Sequence, residues 1–188
     1  MSSTLASASD VIDFWFSELG PSAWWRKDPE SDRRIDQLIE QRFGATHAAA
    51  ARVELFAWRQ SARGRLAEVL VLDQFSRHLY RDRPGAFAAD PLALALAQEA
   101  VSRGVDAELS SSERHFLYMP YMHSESALVH VEAERLFREL GSQEAYDFEL
   151  AHKVIIDRFG RYPHRNRILG RTSTPEELEF LKGPGSSF

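Results

Sequence analysis

Ser61-Ala-Arg-Gly-Arg-Leu66-Ala-Glu-Val69-Leu70-Val-Leu-Asp73-Gln-Phe-Ser-Arg77-His-Leu-Tyr80 carries its apolar side chains at spacings of three and four, then turns ionic on the same face. Leu66, Val69 and Leu70 define the stripe that a helix would bury, and Asp73 and Arg77 continue it. Three-and-four spacing recurs along the chain, and no stretch alternates long enough to make a strand. The predicted fold is therefore all-α. The ionic end of the stripe has two readings. Asp73 and Arg77 form an i, i+4 ion pair that anchors the following loop, since buried charges are normally paired, or the pair lines a pocket with Tyr80, Arg81 and Arg83 near its mouth.

Working outward, helix boundaries are marked by capping chemistry. A first helix is expected from Ser7, with Asp10 completing a capping box, to Gly20-Pro21; Val11, Phe14, Trp15 and Leu19 form its apolar face. A loop with Trp24-Trp25 leads to a helix over 29–51 that turns Ile35, Leu38, Ile39 and Phe43 inward. The helix at 61–80 ends in Arg81-Asp-Arg-Pro-Gly85. Asp90-Pro91 reads as a cap followed by proline at the first helical position. The body that follows, Leu92-Ala-Leu-Ala-Leu-Ala97, is apolar nearly all round and is expected at the centre of the fold. Ser110-Ser-Ser-Glu113 starts a helix that Pro120 should end or kink. A helix over 126–140 carries Leu128, Val131, Leu136, Phe137 and Leu140 up to Gly141. The next, over 143–159, is expected to bury Tyr146, Phe148, Ala151, Val154, Ile155 and Phe159. Thr174-Pro-Glu-Glu177 opens a last short helix.

Composition narrows the function classes. The 188 residues suit one core and show no linker or fixed-period repeat, so a single domain over 1–188 is expected. Apolar runs are too short to span a bilayer and the amino terminus lacks a secretory pattern, which predicts a cytoplasmic protein with no membrane partner. Without cysteine there are no thiolate nucleophiles or Cys-based zinc sites. No HExxH, EF-hand, GxSxG, GxGxxG or P-loop pattern occurs, so neither a metal nor another cofactor is expected. The net charge of −5 argues against nucleic acid as partner.

One segment departs from that acidic background. Arg158-Phe-Gly-Arg-Tyr-Pro-His-Arg-Asn-Arg-Ile-Leu-Gly-Arg171 holds five arginines and a histidine with no acid; the remaining 18 basic residues face 28 acidic ones. Clustered guanidiniums recognise carboxylate and phosphate in bidentate fashion, or knit a loop to acidic helices. Asp73 and Glu125 are the best internal partners. A second polar cluster, Tyr118-Met-Pro-Tyr-Met-His123-Ser-Glu125, could set a carboxylate beside an imidazole, while Ser124 or Ser126 caps the next helix. His152 shares a face with Phe148 and Ile155 and is expected to be buried and hydrogen-bonded. His115 reads as a surface or helix-flank histidine.

Several of these stretches together resemble a known family. Val11-Ile-Asp-Phe-Trp-Phe16, Trp24-Trp25, Leu72-Asp-Gln-Phe-Ser-Arg-His78, Ala86-Phe-Ala-Ala-Asp-Pro91, Phe116-Leu-Tyr-Met-Pro120, His123-Ser-Glu125, Arg158-Phe-Gly-Arg-Tyr-Pro-His-Arg-Asn166 and Gly185-Ser-Ser-Phe188 occur in the order found in a mainly bacterial family, domain of unknown function nine-two-four. The resemblance runs from about residue 10 to 188. It implies antiparallel, stacked helix hairpins of tetratricopeptide-like form, and supplies no activity. That family usually has proline and asparagine where Ser76 and His78 stand here. Asp73, Arg77, His123, Glu125, Arg161, His164, Arg165 and Asn166 are its motif positions.

The leading expectation is a binding module with one polar cleft for an anionic small molecule or acidic peptide. Arg77, Arg161 and Arg165 would clamp the anion, with Asp73 and Asn166 beside them and Tyr118, Tyr121 and Tyr162 as apolar walls. An enzyme using the same cleft is the alternative, with His123 or His164 as general acid/base and Glu125 orienting it, acting on a phosphorylated or carboxylated small molecule. A third reading makes the motifs purely architectural, in a scaffold for partner proteins.

Overall fold

The computed structural model describes residues 5–24 and 28–187. Trp25 and Phe188, both in motifs quoted above, lie outside the described residues, among which all regular structure is helical. Ser7 Oγ accepts from the Asp10 N–H and the Asp10 carboxylate accepts from the Ser7 N–H, starting α1 (Ala8–Asp13). The chain continues as a π-helical segment, Phe14–Leu19, and stops at Gly20, where φ is 67°. A short α2 (Pro21–Trp24) and the long α3 (Pro29–Ala51) follow, the latter capped by Asp28.

The helix expected over 61–80 is continuous but not uniform. It runs as α4 (Ala62–Leu70), a π-helical segment Val71–Phe75, and α5 (Ser76–Leu79). Gly64 lies against the preceding 3-10 turn: a Cβ there would meet the Trp58 carbonyl oxygen at 2.0 Å. The close approach explains glycine inside a helix, where it ordinarily costs about 1 kcal/mol. Short α6 (Gly85–Ala88) and α7 (Asp90–Ser102) come next. Then α8 (Ser111–Met122), α9 (Ala127–Leu140), α10 (Gln143–Phe159) and α11 (Pro175–Phe180) complete the chain. Pro120 neither ends α8 nor stops it short; the helix runs two residues further.

The core centres on α4, not on α7. Leu66, Ala67, Val69, Leu70 and the following Val71 and Leu72 are fully buried, and α4 packs against α1, α7 and α8. From α7 it is the small stripe Ala93, Ala97 and Ala100 that is buried, while Leu92, Leu94 and Leu96 are half-buried. Alanines at this spacing let the helix axis come close to its neighbours, leaving the leucines to seal the flanks. The start of α7 also differs from expectation: Asp90 makes no capping bond, because its carboxylate is turned toward Arg77.

Three successive helices, α8, α9 and α10, pack antiparallel. His115 and Tyr118 of α8 meet Phe137 of α9, while Arg138 and His130 of α9 meet Tyr146 and Glu149 of α10. Here the inward face is not the one expected. Leu128, Val131, Phe148 and Val154 are exposed, at 81%, 62%, 43% and 64%, and Ala151 is exposed as well. The buried stripe of α10 is instead Ala145, Glu149, His152, Ile155 and Ile156. Two polar residues thus occupy positions where periodicity favours apolar ones, and the helix is rotated accordingly. His152 is buried with Nδ1 2.8 Å from the Phe148 carbonyl, as expected. His115 is half-buried on the flank of α8 against the Phe137 ring, the second of the two placements expected for it.

Candidate functional site

Asp73 lies in the second π-helical segment and is fully buried. A π turn adds a residue to the helix and re-aims the side chains around it. One Asp73 oxygen is 2.7 Å from His123 Nδ1, at the carboxyl end of α8, and 3.5 Å from Arg77 Nη2; Gln74 donates to the other. Burial alone would raise the carboxyl pKa, but Arg77 and His123 outweigh it and hold Asp73 well below the usual carboxylate range. The Asp73 carboxylate can only accept, so His123 must carry its proton on Nδ1. Nε2 of that ring makes no hydrogen bond to any of the described residues. Burial, with Arg77 nearby, holds the imidazole below its ordinary pKa despite the opposing pull of Asp73.

Arg77 pairs with Asp73 and anchors the loop that follows it, as the ion-pair reading expects. Nη1 donates to the Asp73 and Ala86 carbonyls, each at 3.0 Å, tying α5 to α6 across the intervening loop. The same guanidinium grips Asp90 through both its terminal nitrogens, at 2.7 and 3.1 Å. Asp90 is therefore largely occupied when Arg165 approaches from the loop after α10, at 3.6 Å. Arg165 is 7% exposed, its guanidinium carbon 4.7 Å from the Phe87 ring and 4.5 Å from the Tyr162 ring, and its Nε is buried without a hydrogen-bond partner. Burial, then Arg77, pulls its pKa below the usual arginine value, the mark of a cation weakly compensated where it stands.

Of the other arginines in the basic segment, Arg167 is exposed and three are engaged by carboxylates. Arg161 donates to both oxygens of Glu177, at 2.6 and 2.8 Å, and Arg158 pairs with Glu176. Arg171 grips Glu125, which also accepts the Tyr162 N–H. Asn166, buried, donates to Ser173 and Glu177 and accepts from Arg171. Glu125 is thus a partner of the basic segment, as expected. Asp73 is not, since His123 and Arg77 occupy it. The orienter of His123 is correspondingly Asp73 and not Glu125.

The candidate residues divide into three places. Asp73, Arg77, His123, Arg165 and Tyr162 gather with Asp90 and Phe87. His164 adjoins them through the Tyr162 ring, 5.5 Å away, and burial holds its pKa at about 4. Arg161, Asn166 and Glu125 form the closed network with Glu177 and Arg171. Tyr118 lies elsewhere on α8, donating to Asp106 at 2.6 Å, and Tyr121 has Glu132, Asp106 and Arg135 as its charged neighbours. Ser76 and His78, where the chain departs from the family pattern, are engaged outside the cluster. Ser76 Oγ donates to the Leu72 carbonyl, and His78 pairs with Asp36. Two surface depressions of about 300 and 320 Å³, beside Ile12 and Gly64 and beside Phe14 and Ile35, include none of the candidate residues.

Sequence reasoning missed Asp90, whose place before Pro91 reads as a cap, and Phe87. It also missed a second carboxylate–imidazole pair. His130 and Glu149 are both fully buried, with Nδ1 2.7 Å from one Glu149 oxygen and the other oxygen without a hydrogen-bond partner. His130 Nε2 faces the Ser124 carbonyl at 2.9 Å and the Tyr162 hydroxyl at 3.2 Å. The available signal was Glu149 and His152 on the stripe of Ala145 and Ile156.

Among the described residues no helix is long and apolar enough to cross a membrane. A family model described as "Bacterial protein of unknown function (DUF924)" matches residues 11–185. Among solved structures, a protein of unknown function, ATU0120 from Agrobacterium tumefaciens, is 40% identical, with a TM-score of 0.87 over 94% of this chain and 97% of that one. No curated protein matches.

Proposed function

We propose, for a chain that belongs to the bacterial DUF924 family, that it is a cytoplasmic binding protein for a small anion, held by Arg165 and His123, which the ion-paired series Asp73, Arg77 and Asp90 links. The observation that carries this reading is the state of Arg165. Its guanidinium is desolvated and stacked on two rings, with a buried donor unspent and its nearest carboxylate already gripped by Arg77. Leaving such a donor unsatisfied costs about 1–3 kcal/mol, which an anionic acceptor would recover. The succession of α8, α9 and α10 supports the tetratricopeptide-like arrangement within this reading. An acidic peptide is the less favoured ligand, since the guanidinium is almost wholly buried.

A thermal-shift series with small anions at constant ionic strength tests the reading. Saturable stabilisation is expected for the wild type and not for Arg165→Gln. A series in which no anion stabilises the wild type more than chloride does would refute it.

A second reading draws on a separate observation. Asp73 orients His123 at 2.7 Å and leaves Nε2 without a hydrogen bond among the described residues, the arrangement of a general acid/base. A proton-transfer reaction on the bound anion would follow, with Arg165 stabilising negative charge. Turnover abolished by both His123→Gln and Asp73→Asn, with anion binding retained, would favour this enzyme over a binding module. For Arg158, Arg161 and Arg171, whose guanidiniums are spent on Glu176, Glu177 and Glu125, the architectural reading is favoured.

A further inference from the structure

The fixed tautomer of His123 has a consequence for which anions the site accepts. Asp73, held ionised, takes the Nδ1 proton, so the neutral ring presents a lone pair at Nε2. A lone pair repels an anion. The surrounding charges offer no surplus to offset that repulsion, because Asp73 and Asp90 balance Arg77 and Arg165 one for one. Bringing in one negative charge leaves the cluster at minus one in a largely buried setting. A proton taken up at Nε2 would restore neutrality and turn the lone pair into a donor aimed at the ligand.

The other titratable groups near His123 cannot do this as readily. From its own helix comes His115, packed on Phe137; from α10 comes His152, whose Nδ1 is committed to the Phe148 carbonyl. Burial holds the pKa of each far down, at about 4 and about 3. Asp73 and Arg77 from the α4–α5 helix, Asp90 from α7 and Arg165 from the loop after α10 are engaged with one another as ion pairs. The cluster therefore has the capacity for one added proton.

We propose that the site binds a small monoanionic carboxylate together with one proton, which is taken up at His123 Nε2. The proposal rests on the anion-binding reading above and specifies its chemistry. A carboxylate brings two acceptor oxygens, one for Arg165 Nε, which has no hydrogen-bond partner, and one for the protonated Nε2. A dianion would leave the cluster negative even after His123 is charged. Linkage sets the sign: the free imidazole is neutral at pH 7 and the liganded one charged. Affinity then falls about tenfold for each pH unit of rise between the free and the liganded pKa of His123.

Acetate, whose own charge does not change between pH 6 and 8, is the probe, with sulfate as the dianion at matched ionic strength. The full-length chain is followed by NMR of its histidine ring and arginine side-chain signals. Acetate should move the His123 ring to the imidazolium form, bind about tenfold more weakly at pH 8 than at pH 7, and outcompete sulfate. His123→Gln should bind acetate with no pH dependence. Saturable acetate binding of equal affinity from pH 6 to 8, or with His123 still neutral, would overturn proton coupling while leaving anion binding intact. Tighter sulfate than acetate binding would overturn the monoanion class. Absence of any saturable change at Arg165 with either anion would overturn both this inference and the reading beneath it.

Discussion

Two carboxylate–imidazole pairs are buried in this fold, each 2.7 Å across, and they differ in what surrounds them. Asp73–His123 joins the α4–α5 helix to α8, with Arg77 against the carboxylate; Glu149–His130 joins α9 to α10 with no arginine in contact. The charge states diverge accordingly. Arg77 and His123 hold Asp73 ionised against the cost of burial, while burial dominates at Glu149 and pushes its pKa up. The distance between acid and imidazole therefore says little about charge; the third group decides it. The ionised Asp73 with its neutral imidazole, linked through Arg77 and Asp90 to Arg165, can respond to a ligand, whereas the pair between α9 and α10 behaves as a hydrogen-bonded core element.

Substitutions can break this comparison, and the largest effect is expected at Asp73. Asp73→Asn leaves His123 and Arg77 facing a neutral group and should lower unfolding free energy by about 3–5 kcal/mol in urea denaturation. A loss below about 1 kcal/mol would mean that Asp73 is not the charged centre. The α9–α10 hairpin should depend more on apolar burial than on its polar pair, so Ile155→Ala is expected to cost about 2–5 kcal/mol by the same measurement.

Glu149→Gln should cost no more than about 1 kcal/mol at pH 5, since the amide can donate to His130 Nδ1 as a protonated carboxyl does. Its pH dependence sharpens the contrast. As pH rises through the ordinary glutamate range near 4.3, the unfolded chain releases the Glu149 proton and the folded chain keeps it, so the wild type loses stability in that window. The glutamine variant escapes the loss, and the difference should move in its favour as pH rises above that range. At Asp73 the sign is reversed. Its contribution is full above the ordinary aspartate range and disappears as pH falls below it. The smallest effect is expected at Val154, adjacent to Ile155 but exposed: Val154→Gln should change stability by about 0.5 kcal/mol or less.

Helix existence was legible in the sequence wherever a cap and a stop bracket an apolar stripe. Ser7, Ser110 and Thr174 each form the expected capping box, and Gly141 and Gly160 end their helices at positive φ. Which face turns inward was less legible. Counting apolar residues on α10 selects Phe148 and Val154, because periodicity weighs each side chain by its own hydrophobicity. Glu149 and His152 are buried because partners on other elements satisfy them. The site was half legible for the same reason. Asp73, Arg77, His123 and Arg165 stand out as polar interruptions or clusters, and the family resemblance picks out the same positions. Asp90 does not, since its place before Pro91 reads as a cap and hides its distant partner.

The π-helical segment at 71–75 makes this arrangement sensitive to a kind of change that point substitution does not probe. An α-helix advances about 100° per residue, and the π turn takes in one extra residue over nearly the same arc. Deleting Gln74 would let a regular helix form with α4 and Arg77 on nearly their present faces, while Asp73, inside the turn, would be re-aimed. The added length along this helix therefore sets the aim of Asp73 at His123, and not the heading of Arg77.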